Sequence, residues 1–253
     1  MTNQTPNTPR LGAIYPDDMW VDLDAQTVVD DFRSYLPESV ELISSATPIP
    51  PRDAALKAGI ELAENGDIEE SARRLLRYHP SCFAYYCTTI SFVRGVGGDL
   101  DISRRVEAAT GKPAVTTSTA MIRAFEALEI KSVVLASPYM PDVEEKFVEF
   151  IEAHGVRVLK SLALGLKDGH GIVDPNEIRQ LAESADKPEA DAVFVGCTGQ
   201  RLASHLDEME AGLGKPVLCA NQVTSWEALR LLGVPRVLSG RGSLFSGAGV
   251  SRA

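Results

Sequence analysis

Apolar residues fall along this chain in short runs separated by amphipathic stretches. The runs at 11–15, 40–44, 82–87, 114–117, 133–136, 156–162, 192–196 and 217–220 have the length and flanking turns of buried strands. Between them, apolar positions recur at helical spacing over 25–35, 69–78, 121–128, 143–153, 177–183 and 202–212. Gly155 and Gly233 supply stop signals after 143–153 and 226–232. Strands alternating with helices of this length predict an α/β fold with parallel sheets.

The pattern also repeats. The first half contains Leu11-Gly-Ala-Ile-Tyr-Pro16, then Tyr86-Cys87-Thr88-Thr89, then Gly111-Lys112-Pro113. The second contains Ser132-Val-Val-Leu-Ala-Ser-Pro138, then Gly196-Cys197-Thr198-Gly199, then Gly214-Lys215-Pro216. Gly-Lys-Pro before a strand is common turn chemistry. Three matches in one order, each closing on a similar helix, indicate a duplicated four-strand unit. The expected architecture is two pseudo-symmetric α/β domains, each a four-stranded parallel sheet flanked by helices. The first takes residues 1–117 with a returning segment 222–253, and the second takes 118–221. Reactive groups of open parallel sheets collect at the carboxyl ends of strands, where both Cys-Thr pairs sit. Halves facing each other would place the active site in the interdomain cleft, with one thiol on each side.

Composition narrows the classes. The 253 residues are 44% hydrophobic and 24% charged, which is ordinary globular usage. A net charge of −10 provides no basic footprint for nucleic acid or anionic membrane. No run reaches the roughly 20 apolar residues of a membrane span. The polar, proline-bearing start is unlike a signal peptide, and four cysteines are too few for a disulfide scaffold. The expectation is a cytoplasmic protein with reduced thiols that binds neither nucleic acid nor membrane and that could form a homo-oligomer.

Cys87 and Cys197 are the candidate catalytic pair. A thiolate is a strong nucleophile or carbon base when local donors stabilise it. A strand end leading into a turn offers such amides and a positive helix end, and Thr88, Thr89, Ser91 and Thr198 add hydroxyls. That cradle suits a carboxylate and the enediolate formed as charge moves into it. The competing reading is that a free cysteine is a small buried hydrophobe; paired placement before threonine argues against it here, whereas Cys82 and Cys219 keep it. No Cys-x-x-Cys or His-x-x-x-His spacing occurs, so no metal is expected. His154 and His205 read as helix-associated, while His170 in Lys167-Asp-Gly-His-Gly171 could reach the cleft. Gly95-Val-Gly-Gly98 and Gly240-Arg-Gly242 are too loose for phosphate loops, so no nucleotide is expected.

Cys87-Thr-Thr-Ile-Ser-Phe-Val-Arg-Gly95, Thr110-Gly-Lys-Pro-Ala-Val-Thr-Thr-Ser-Thr119 and Ser137-Pro-Tyr139-Met-Pro-Asp-Val143 resemble arylmalonate decarboxylases and maleate cis-trans isomerases. Gly196-Cys197-Thr198-Gly199 and the helix around Trp226–Gly233 continue that resemblance over nearly the whole chain from Leu11. It implies membership of the Asp/Glu racemase superfamily, whose pseudo-symmetric domains enclose a cleft between two catalytic positions, with no cofactor. The decarboxylase resemblance implies glycine where this chain has Cys87; the isomerases and amino-acid racemases keep both cysteines. Carried over from the isomerases, Cys87 is the nucleophile that forms a covalent cysteine adduct on a small, dicarboxylic substrate, and Cys197 is the acid/base partner. Tyr139 matches a tyrosine that hydrogen-bonds a substrate carboxylate. The expected substrate-binding set is Pro16, Asp17, Thr88, Thr89, Tyr139, Thr198, Gly199 and His170.

Two positions depart from the isomerases. Asp17 and the Lys167–His170 loop stand where those enzymes carry asparagines, and a carboxylate near an anionic substrate is unfavourable unless protonated or paired. Either Asp17 signals a different substrate, or Asp18 is the pocket residue. A racemase working by two-thiol proton transfer, an arylmalonate-type decarboxylase and a catalytically silent small-acid binding protein remain as alternatives.

Overall fold

The computed structural model describes residues 8–17, 25–48 and 55–247. In chain order the first half comprises β1 (Arg10–Asp17), α1 (Ala25–Ser34), β2 (Glu41–Pro48), α2 (Ala55–Glu64), α3 (Asp67–Leu75), β3 (Cys82–Tyr85), α4 (Thr88–Phe92), α5 (Gly98–Thr110), β4 (Ala114–Thr116) and α6 (Thr117–Ala127). The second comprises β5 (Ser132–Ser137), α7 (Pro141–Ala153), β6 (Arg157–Ala163), α8 (Pro175–Ala185), β7 (Ala192–Val195), α9 (Leu206–Leu213), β8 (Val217–Cys219) and α10 (Ala220–Leu231).

The strands form two four-stranded parallel sheets, ordered β2-β1-β3-β4 and β6-β5-β7-β8. The orders are identical once the second half is renumbered, which is the duplication expected from the repeated motifs. Register carries the correspondence to single residues. Tyr85 pairs with Thr116 in one sheet and Val195 with Cys219 in the other, so Cys87 matches Cys197 and Thr116 matches Cys219. The central strands β3, β5 and β7 are buried along their whole length, as continuous apolar runs require. The edge strands β2 and β6 are half-exposed.

The repeated Gly-Lys-Pro has a helix-ending role. Gly111 and Gly214 stop α5 and α9 in the left-handed conformation, at φ 69° and 67°, each donating to a carbonyl of the preceding turn. The proline then enters the next strand, and its carbonyl accepts from Phe83 N in one half and from Val193 N in the other.

The halves are packed into each other. Phe92 of α4 stacks on Phe147 of α7 with centroids 5.0 Å apart, and Phe125 of α6 meets Phe194 of β7 edge-on. Helix α10 follows β8 but packs against β3, β4 and α6 of the first half. Its Thr224 donates to Thr117 at 2.9 Å, and its Ser225 shares a 2.8 Å hydrogen bond with Tyr86. No helix of the described residues is long and apolar enough to cross a membrane.

Candidate active site

Both Cys-Thr turns open on one cavity of about 60 Å³ between the halves. Cys87 is the N-cap of α4, in extended conformation, and its Sγ accepts from Ile90 N at 3.5 Å. The helix it caps is a single five-residue turn, so the donors near this thiol are individual amides and not the summed dipole of a long helix. Cys197 sits beyond β7 with φ 76°, a left-handed conformation costly for a residue with a side chain. The turn that follows brings Gly199 N to within 3.4 Å of its Sγ.

The other two cysteines are core residues. Cys82 and Cys219 are fully buried, and burial pushes each thiol up to about 12, which keeps it protonated.

Tyr139 lies in the loop between β5 and α7, 1% exposed, with its ring edge-on to Phe92, Phe147 and His170. Burial pushes its phenol well above the ordinary range; the neighbouring Cys197 and Cys87 add to this, and the Thr89 and Thr88 hydroxyls oppose it. Those hydroxyls are near without closing a hydrogen bond, since Tyr139 Oη and Thr88 Oγ1 are both buried without a partner. They are donors held in reserve beside the two thiols.

Pro16, Thr88, Thr89, Tyr139, His170, Cys197, Thr198 and Gly199 all line the cavity with Cys87. The Thr198 hydroxyl donates to Tyr86 O at 3.3 Å, which commits its proton to the fold. His170 bonds through Nε2 to the Leu166 carbonyl at 3.0 Å; a carbonyl can only accept, so Nε2 carries the proton. Asp17 is the exception: it is exposed at the end of β1 and does not line the cavity. Asp18 lies outside the described residues.

Sequence reasoning missed the cavity's apolar side. Val28 and Phe32 of α1, Leu62 of α2, Ile90 of α4 and Val143 of α7 line it. Each sits at a helical position indistinguishable by type from ordinary core. Among the described lining residues there is no lysine, arginine or carboxylate, and the polar side chains there are the hydroxyls, the two thiols and His170.

The family model for arylmalonate decarboxylase matches residues 60–245. The chain belongs to the arylmalonate decarboxylase family. Within it, arylmalonate decarboxylase of Bordetella bronchiseptica is 28% identical over 170 residues, covering 66% of this chain and 71% of that protein. Maleate isomerase of Nocardia farcinica is 29% identical over 190 residues, covering 72% and 76%. A liganded arylmalonate decarboxylase variant, with a glycine-to-cysteine and a cysteine-to-serine exchange, superposes with a TM-score of 0.82 at 25% identity. That match covers 95% of this chain and 100% of the other. A variant of the maleate isomerase Iso of Pseudomonas putida S16, solved with maleate, shares the fold with a TM-score of 0.83 at 24% identity, covering 95% and 98%. This member of the arylmalonate decarboxylase family is an enzyme.

Proposed function

We propose that this enzyme is a cofactor-independent cis-trans isomerase of small unsaturated carboxylic acids that works through a covalent adduct on Cys87. The observation that carries the reading is the opening of both Cys-Thr turns on one cavity. The Cys87 thiolate adds to the double bond conjugated with the substrate carboxylate, and the electron pair moves into that carboxylate as an enediolate. Thr88, Thr89, Tyr139 and neighbouring amides donate to the developing charge. Cys197 delivers its proton to the adjacent carbon, and the new single bond rotates. Cys197 then recovers the proton, the C–S bond breaks, and the trans acid leaves with both thiols restored. A solved Nocardia farcinica maleate isomerase variant carries a covalently bound succinylcysteine, the adduct such a step forms.

Decarboxylation of a substituted malonate is the second reading. The apolar side formed by Val28, Phe32, Leu62, Ile90 and Val143 would suit a nonpolar substituent, whereas the bulk of Cys87 opposes it.

The deciding experiment exposes the protein in heavy water to a panel of unsaturated diacids, arylmalonates and amino diacids, followed by proton NMR and intact-protein mass. Conversion of cis to trans acid, with an adduct on Cys87 that accumulates in Cys197→Ser, is expected. Loss of carbon dioxide would replace it with the decarboxylase, and deuterium at Cα of an amino acid with the racemase. No turnover of any member would leave a binding protein.

A further inference from the structure

The turn carrying Cys197 is held from below by a buried amide that plays no part in the chemistry above. Asn221, the second residue of α10, is fully buried. Its Nδ2 lies 3.0 Å from Thr198 O, 3.3 Å from Gln200 O and 2.7 Å from Asp31 Oδ2 of α1. All three partners are acceptors, so the NH2 end must face them. The orientation persists although Asn221 Oδ1 is thereby left buried without a partner. Asp31 also accepts from the Ala203 amide and lies near Arg201 and Arg241, so its carboxylate is itself fixed. The two carbonyls lie just beyond the left-handed Cys197, on either side of Gly199, whose amide donates to its sulfur.

The other half repeats the arrangement. The register that matches Cys87 to Cys197 matches Ser118 to Asn221, and Ser118 Oγ lies 3.3 Å from Thr88 O. In both halves, therefore, the second residue of the helix after the fourth strand grips the carbonyl of the threonine beside the cysteine. The Cys87 turn has further support, because Ser91 Oγ donates to Cys87 O and Thr88 O. Position 201, which matches Ser91, is an arginine, and Asn221 bears the Cys197 turn with Asp31 behind it.

We propose that Asn221, oriented by Asp31, is the positioning residue for Cys197, holding its strained turn so that the Gly199 amide stays on the sulfur. This rests on the reading that Cys197 is a reactive thiol, but its test needs no substrate. Iodoacetamide alkylation of each cysteine is followed by peptide mass spectrometry in the whole protein. Asn221→Ala should slow alkylation of Cys197 by about five- to tenfold, the size of one lost hydrogen bond to the thiolate, and leave Cys87 unchanged. Asp31→Asn keeps the size of the side chain but replaces the charged acceptor behind Asn221 by a neutral amide, weakening one of the three contacts that hold it. It should slow Cys197 by about two- to fivefold, and it serves if Asn221→Ala does not fold. Ser118→Ala is the control, and the Cys197 rate should stay at the wild-type value. An unchanged Cys197 rate in folded Asn221→Ala or Asp31→Asn would overturn the proposal, as would parallel slowing of both cysteines. Failure of the isomerase reading would show instead as normal thiol selectivity without turnover.

Discussion

The Tyr139 hydroxyl is buried with no hydrogen-bond partner, a state that costs about 1–3 kcal/mol in an ordinary core. Its surroundings explain why it persists. Phe92, Phe147 and His170 fix the ring, while the hydroxyl faces the thiols of Cys197 and Cys87 and the Thr88 and Thr89 side chains. Such a group is preorganised to donate to charge that develops during reaction, and it stays protonated because burial raises it far above neutrality. Tyr139→Phe should therefore lower turnover by about one to two orders of magnitude while the melting temperature holds or rises. Steady-state kinetics on the substrate identified from the panel, beside a thermal melt, checks both halves of that expectation. Equal turnover in the two proteins would remove Tyr139 from the machinery.

At the scale of elements, β1 and β3 meet through Gly12 and Phe83, which are register partners. A Cβ on Gly12 would lie 2.6 Å from the Phe83 ring, so Gly12→Ala must push that ring off its place in the core. A loss of about 1–3 kcal/mol in urea unfolding is expected, with the cysteine reactivities unaltered in the folded protein. Legibility from sequence follows the same division between local and distant causes. All eight apolar runs are strands; those buried on both faces, such as β3, β5 and β7, need only a continuous apolar segment. Three helices show no helical spacing in the sequence, the five-residue α4 being too short for any. Of the five positions that α5 buries, only Ile102 and Val106 are large and apolar, too sparse a stripe to show periodicity, and α2 begins close behind two prolines. The helix read over 202–212 starts at Leu206, after a turn that the Cys197 segment uses to reach it. Cys87, Cys197 and their threonines were readable because they close strands in two copies. Asn221 and Asp31 were not, since their contacts join positions 190 residues apart and neither carries a local signal.

For the molecule as a whole, Asp31 sets a stability that depends on pH. Burial pushes its carboxyl up to about 6, against the downward pull of Asn221, the Ala203 amide, Arg201 and Arg241. A carboxyl raised in the folded state binds its proton more tightly there than in the unfolded chain. Its contribution is thus fully present below about pH 4 and is lost as pH rises through about 6. Asp31→Asn should then gain about 1–3 kcal/mol at about pH 7.5 and nothing near pH 4. Chemical unfolding at the two pH values measures the difference, and a gain of equal size at both would assign it to something other than this ionisation. Helix α10 has a consequence of the same breadth. It leaves β8 of one sheet and spends its length against β3, β4 and α6 of the other, so melting either half strips the second of part of its own core. Neither sheet owns a complete interior. The protein should lose its heat-absorbing structure in one cooperative step, with calorimetric and van't Hoff enthalpies in agreement, and two resolved peaks in a scanning calorimeter would show that the halves melt separately.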